Sequence, residues 1–352
     1  MGLFDRLSDR FFDHLWPRNR AISGQDNAQT RALVERLTVL SPSLKLARAY
    51  RERLVPALAK SQAYIGELVE RLPPAREASA ANWLADPYIH AFFAAPDEIS
   101  HVLSRSVELH AWFDSHPLAR ETWAVLGMAM NERRGFGAAQ HGDLVHTDVA
   151  QTTLSFDDHQ VRVCGESEAD LRAQIVQRVV EQIALEGLAH IAADESRRGA
   201  LEEERALLRT RRQLLTRQGA GTQRMVGERA LAGGVGLAGE LAQLEAEIAA
   251  NERALASLGL KTDAIEHELA VICDVLGHPA QHANVEMRAV TLNAMNVVIE
   301  PAQADGGASI VFPLAHIPAS PEGVRAFSLV RFARADLVPL PKVLDADSRF
   351  VI

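Results

Sequence analysis

Histidine gives this chain its clearest capacity for metal chemistry. His141, Asp143 and His146 have a spacing close to that of a metal-ligand set, and His278 with His282 forms a second such pair. Imidazole and carboxylate groups together could hold a divalent cation and activate a bound water. A metal-dependent hydrolase is therefore one interpretation. Seven histidines lie between residues 90 and 159: His90, His101, His110, His116, His141, His146 and His159.

Structural or surface histidines are the competing and favoured interpretation. The zinc-protease pattern HExxH is absent, because the histidine of His267-Glu268 is not followed by another histidine four positions later. His278 precedes Pro279 at a predicted helix end, where a cationic side chain is commonly found. We therefore expect no metal and no other cofactor.

Other catalytic and nucleotide-binding motifs are weak or absent. Gly234-Val-Gly236-Leu-Ala-Gly239 matches GxGxxG, but a dinucleotide site needs a preceding strand, and residues 224–232 have a helical pattern. Neither a Gly-Lys-Ser/Thr phosphate loop nor a Gly-x-Ser-x-Gly nucleophile elbow occurs in the sequence. Cys164 and Cys273 lie outside any metal or redox motif. A non-catalytic role is favoured.

Arginine-rich segments raise the question of anion binding. Asn131–Gly137 is the most site-like polar loop, where Arg133 and Arg134 could bind an anion, although a solvated turn is the alternative. The Arg-rich stretch 197–229 includes Glu202–Glu204 and lacks Trp and Tyr for base stacking. With a net charge of −9 as well, nucleic acid is an unlikely partner.

The most informative element is a seven-residue apolar repeat, which we call the apolar seam. Alternating steps of four and three residues keep one face of a helix turned toward a partner helix, as a coiled coil requires. Asn251 and Thr262 interrupt it. The seam consists of Leu237, Leu241, Leu244, Ile248, Leu255, Leu258, Ile265, Leu269, Ile272 and Leu276.

Charge complementarity predicts that residues 168–283 form an antiparallel coiled-coil hairpin. If the chain reverses in the glycine-rich stretch 219–236, a basic stretch lies beside an acidic one and favours this register. The second arm, 237–276, would reach roughly 60 Å. The first arm is less regular: Leu201, Leu208 and Leu215 repeat, but Glu204 and Arg211 fall at apolar positions. The basic stretch contains Arg205, Arg209, Arg211, Arg212 and Arg217, and the acidic stretch Glu240, Glu245, Glu247 and Glu252.

The helical spacing of apolar residues in the N-terminal segment 1–20 predicts an amphipathic helix that ends at Pro17. Its apolar face could dock on the rest of the protein, or it could lie in a membrane interface. The segment from Met1 to Ser8, Met-Gly-Leu-Phe-Asp-Arg-Leu-Ser, resembles the first residues of the phage-shock protein A family of membrane-remodelling proteins. The next hundred residues do not continue that family's uninterrupted helical pattern. The apolar face consists of Leu3, Phe4, Leu7, Phe11 and Leu15.

Two further regions complete the predicted organisation. Residues 26–118 predict a helical bundle, with helices at 27–40, 43–72, 79–95 and 97–113, and with Pro56 kinking or splitting the second. Strand-like patterns predict that segments 119–167 and 284–352 form one antiparallel β domain, which the coiled-coil hairpin divides in sequence. Its strands include a β-hairpin of 152–156 and 160–164, joined at Asp157-Asp158-His159, and strands at 285–300, 308–317 and 325–332. A turn is expected at Asp305-Gly-Gly307.

The sequence thus predicts an α+β fold that is predominantly α. Without a long apolar run, a signal peptide or a disulfide framework, we expect a cytoplasmic protein, with peripheral attachment to the inner face of a membrane as a further alternative. The favoured function is a scaffold or assembly protein that engages other proteins, or further copies of itself, through the coiled coil. The alternative is the metal-dependent hydrolase.

Overall fold

The computed structural model describes residues 25–141, 144–226, 231–259, 264–299, 307–316 and 324–339. In these ranges the protein is a mixed α/β structure with one seven-stranded sheet and long helices. The predicted combination of helix-rich segments with a sheet is confirmed at this level. The sheet is mixed, however, because one short strand joins it in parallel.

The described elements follow one another in the order helices with one short strand among them, two strands, three helices, then four strands. The first helices are α1 (Gln25–Leu40), α2 (Tyr50–Glu70), α3 (Pro87–Phe92), α4 (Pro96–Leu103) and α5 (Val107–Ser115), with strand β1 (Arg76–Glu77) after α2. Strands β2 (Glu121–His141) and β3 (Leu144–Gly165) precede α6 (Glu168–Val226), α7 (Leu231–Ser257) and α8 (Ala264–Gly277). Strands β4 (Asn284–Leu292), β5 (Val297–Val298), β6 (Ala308–His316) and β7 (Val324–Ala333) follow.

The strands before and after the long helices belong to the same sheet. Their order is β1-β7-β2-β3-β5-β4-β6. An additional pairing of β6 with β7 closes the six strands other than β1 into a ring. All pairs in the ring are antiparallel, whereas β1 pairs in parallel with the outer edge of β7. The predicted strands 308–317 and 325–332 are present as β6 and β7. The predicted strand 285–300 is divided into β4 and β5, because the chain turns between Asn293 and Asn296. Of the predicted 305–307 turn, only Gly307 lies within the described residues.

Strands β2 and β3 form one long hairpin, which corrects two predictions. Residues 152–156 and 160–164 are not two paired strands, because both lie on β3, which pairs with β2. Asp157-Asp158-His159 is an irregularity within β3, where the register shifts opposite Met128 and Asp158 has a φ of 45°. A turn-like sequence is accommodated there as a bulge. Gly135-Phe-Gly137 is also strand rather than loop.

The region 26–118 does not form the single bundle that was predicted. Helices α1 and α2 pack against α6 and α8, while α3, α4 and α5 pack against the sheet. The predicted helix 43–72 breaks at Ala49, whose φ is 52°, and not at Pro56, which lies inside an uninterrupted α2. The predicted helix 79–95 is interrupted because Pro87 begins α3, preceded by an Asp86 side chain that caps it.

Two apolar cores lie on opposite faces of the sheet. Inside the ring, Phe92 of α3 packs edge-to-face against Phe156 and Phe312, with ring centroids 5.0 and 6.5 Å away. On the outer face, Val163 and Leu329 pack with the helices α1, α2, α6 and α8. Adjacent residues of β7, such as Leu329 and Val330, therefore serve different cores, as the two-residue period of a strand requires.

Candidate interaction surface on the long helices

Polar contacts join α6 to α7 along part of their length. The Asn251 amide nitrogen donates to the backbone oxygen of Leu201 at 3.0 Å and to a carboxylate oxygen of Glu204 at 2.8 Å. Arg209 forms an ion pair with Glu252 at 2.8 Å. Arg198 of α6 contacts Leu258 and Gly259 just beyond α7, whereas Leu201 and Glu204 contact Asn251. Between residues 198 and 204, rising numbers along α6 thus meet falling numbers toward α7, so the two helices run antiparallel here. Arg209–Glu252 joins the basic and acidic stretches identified in the sequence.

The side chains of the seam in α7 are buried to different extents. Asn251 is only 5% exposed, although it is polar and interrupts the apolar repeat. Its side-chain oxygen is buried and has no hydrogen-bond partner among the described residues. A polar residue in such a position can fix the register of two helices at some cost in stability. Leu244, Ile248 and Leu255 are buried and Leu241 is half-buried, while the side chain of Leu237 lies outside the described set.

The seam does not run along one continuous helix, which corrects the predicted second arm of residues 237–276. Helix α7 ends at Ser257, and Gly259 has a φ of 78°, a left-handed conformation that favours glycine at helix ends. Arg198 of α6 donates to the backbone oxygens of Leu258 and Gly259, which anchors this end of α7. Helix α7 is therefore about 40 Å long at 1.5 Å per residue. Thr262 lies outside the described residues.

The second half of the seam belongs to α8 and serves the outer core. Leu269, Ile272 and Leu276 are fully buried among α2, α6 and the sheet, and Ile265 is half-buried at the edge of the same cluster. Gly187 of α6 lies so close that a Cβ there would be 3.4 Å from the Cα of Ile272. One repeat in the sequence thus combines a helix–helix contact with a globular core.

A neighbouring face of α6 exposes apolar residues that the sequence analysis missed. Leu201, Leu208 and Leu215 are half-buried toward α7, as the repeat predicted. Leu207 and Leu214, each one position earlier, are 72% and 54% exposed. The recurrence of two adjacent leucines at seven-residue spacing was the available signal, because only one leucine of each pair can face α7.

The histidines are distributed over the structure rather than gathered at one centre. His159 bonds the backbone oxygen of Phe92 and His110 that of Ser104, while His278 and His282 contact different carboxylates, Asp274 and Glu186. Within the described ranges, no group of three or more His, Cys, Asp or Glu side chains is arranged to hold a metal. His141 and His146 lie on β2 and β3, but their side chains, and Asp143 entirely, fall outside the described set.

The other residues that the sequence suggested for binding or catalysis occupy positions that do not favour such a role. Arg133 and Arg134 are adjacent on β2, so their side chains leave opposite faces and do not form a common clamp. Gly234–Gly239 lies within α7, and the element before it is a helix. Cys164 is buried between sheet and helices, and desolvation raises the pKa of its thiol to about 12, so a thiolate is disfavoured. Burial also raises the pKa of the half-buried Cys273.

The predicted N-terminal apolar face, Leu3, Phe4, Leu7, Phe11 and Leu15, lies outside the described residues. Among the described helices, none has the length and apolar composition needed to cross a membrane. The sequence matches no protein-family model, and neither the curated proteins nor the solved structures include a similar protein.

Proposed function

We propose that this protein is a non-catalytic scaffold or assembly factor whose binding element is an antiparallel coiled-coil hairpin built from α6 and α7. The observation that carries the proposal is the contact of Asn251 with Leu201 and Glu204, which joins the two helices side by side. Further support comes from Arg209–Glu252, which pairs the basic stretch of one arm with the acidic stretch of the other. Long paired helices offer an extended surface for protein recognition.

The anchoring of α6 supports the same function. Its N-terminal part packs in the outer core through Leu171, Val180 and Ile183, whereas residues 195–217 have largely exposed side chains. Arg172 fixes the first turns by donating to the backbone oxygens of Val69, Leu72 and Pro73. A rigid base thus holds a long exposed element, as recognition by a surface requires.

Co-purification of full-length chain with its cellular partners tests the proposal. Proteins captured by the intact chain should be lost from a version that lacks residues 200–256. Circular dichroism and cooperative unfolding of the shortened chain serve as the control for its fold. Capture of the same proteins at equal yield by both versions would contradict a binding role for the hairpin.

We further propose a cytoplasmic location with peripheral attachment to a membrane surface through residues 3–16. The supporting argument is the apolar face of the N-terminal sequence, which includes Phe4 and Phe11. Phe4→Asp with Phe11→Asp should abolish co-sedimentation with vesicles of anionic phospholipid. Arg6→Ser with Arg10→Ser changes the net charge equally but alters the polar face, so it should retain more binding. Equal sedimentation of the Phe variant and the unaltered chain would remove the membrane proposal.

A further inference from the structure

An exposed apolar stripe runs along α6 beside the face that contacts α7, and we call it the outer leucine face. It comprises Ala200, Leu207 and Leu214, which recur every seven residues and all have exposed side chains. At about 100° per residue these positions lie about 100° around the helix from the Leu201, Leu208 and Leu215 face that meets α7. The contacts of α6 with α7 therefore leave this stripe uncovered.

Charges along α6 are ordered around the centre of this stripe. Between Ala200 and Leu207 lie Glu202–Glu204 and Arg205, a net charge of −2, and between Leu207 and Leu214 lie Arg209, Arg211 and Arg212, a net charge of +3. Glu203 and Arg211, each four residues from Leu207, are both exposed. An acidic half and a basic half on either side of a central leucine are self-complementary when two identical helices run antiparallel.

We propose that a second copy of this chain docks antiparallel on the outer leucine face, with the two-fold axis at Leu207. Leu207 then packs on its counterpart, and each Leu214 packs beside the other copy's Ala200. Glu203 of each copy lies level with Arg211 of the other along the helix axes. The inference deepens the proposed scaffold function and rests on it, since it names the partner as the chain itself.

The charge order favours a second copy over a lipid surface. A membrane-binding helix carries basic residues along its whole polar face, whereas here an acidic run adjoins the apolar stripe on one side. The contact from residue 200 to residue 214 is about 20 Å long. An interface of that length is small, so we expect a reversible dimer with a dissociation constant on the order of micromolar.

Sedimentation equilibrium of the full chain over a range of concentrations tests the dimer. Leu207→Glu with Leu214→Glu should raise the dissociation constant at least tenfold, because it places like charges in an apolar contact. The matched control, Leu84→Glu with Leu118→Glu, changes two exposed leucines elsewhere and should leave the dissociation constant unchanged. A chain that is monomeric at all concentrations, or a dimer insensitive to the first pair, would overturn the proposal.

Charge exchange and cross-linking test the antiparallel register. Glu203→Arg alone should weaken the dimer, and adding Arg211→Glu should restore it. In a Cys273→Ser background, Leu207→Cys should form a disulfide between copies, whereas Leu214→Cys should not, because its two copies lie about 20 Å apart. Equal cross-linking at both positions would overturn the antiparallel arrangement. If the chain is monomeric yet other proteins still require residues 200–256 for capture, only this inference fails and the scaffold function stands.

Discussion

Replacing Asn251 by leucine tests whether the contact between α6 and α7 is limited by its buried polar residue. The substitution removes a 3.0 Å hydrogen bond to Leu201 and a 2.8 Å bond to the Glu204 carboxylate. It also removes a buried side-chain oxygen that has no hydrogen-bond partner among the described residues. Glu204 is exposed, so water can solvate its carboxylate after the change.

In Asn251→Leu, the free energy lost with the hydrogen bonds is similar in size to the free energy gained from apolar burial and from removing the unpaired oxygen. The neutral hydrogen bond contributes about 1 kcal/mol and the charge-assisted one about 2 kcal/mol, while relieving the unpaired oxygen regains about 1–3 kcal/mol. Burying a leucine at a site that is 95% buried adds about 1.5–3 kcal/mol. We therefore expect the free energy of opening α7 to stay nearly equal or to rise by up to about 3 kcal/mol. Asn251→Ala lacks the apolar gain and should lower it by about 1 kcal/mol.

Amide hydrogen exchange of the full chain measures this local opening. Amides of residues 241–257 should exchange at an equal or slower rate in Asn251→Leu and faster in Asn251→Ala, while amides of α2 and β7 serve as an internal reference. More than tenfold faster exchange in the leucine variant, about 1.4 kcal/mol, would refute the reasoning. In that case the amide hydrogen bonds would outweigh apolar burial.

Three further predictions concern other parts of the chain. Burial lowers the pKa of His159, whose ring nitrogen lies 2.7 Å from the Phe92 oxygen, so the unfolded chain takes up the proton first. Stability against urea should therefore fall as the pH drops through about 6.5 toward the folded pKa, and less steeply in His159→Gln; an equal slope would contradict this. Arg198→Ala should speed exchange at the C-terminal end of α7 about tenfold through loss of its two carbonyl contacts, whereas Arg212→Ala should not; matching effects would argue against anchoring. Elemental analysis of purified chain should find metal well below one equivalent, and stoichiometric zinc, manganese or iron would instead favour the hydrolase of His141, Asp143 and His146.

Local patterns predicted the elements whose partners are nearby or repeated. The strands β4, β6 and β7 follow from runs of Val, Ile and Phe, and the contact of Arg209 with Glu252 follows from opposite charges on consecutive helical segments. The end of α7 was missed because the repeat continues through Leu258 and Ile265. Gly259 and Thr262 were the signals of a break, and the left-handed backbone of Gly259 could not be read from the heptad pattern.

Elements that depend on distant pairing were not predictable in the same way. Strand β1 has only two residues, Arg76 and Glu77, and it exists because β7 offers them a parallel edge. Asp157-Asp158-His159 has the composition of a turn, but pairing with β2 on both sides makes it a bulge. The exposure of Leu207 was likewise fixed by which face of α6 meets α7, a choice that two adjacent leucines leave open.

The position of β7 within the sheet has a consequence for synthesis of the chain. β7 is the last described strand, yet it lies between β2 on one edge and β6 and β1 on the other. At about 5–20 residues per second, a ribosome needs roughly 10–30 s to proceed from the end of β3 to the end of β7. During that interval the nascent β2–β3 hairpin presents an unpaired edge, which is a template for aggregation. The order of translation thus leaves this strand edge exposed until β7 has been synthesised.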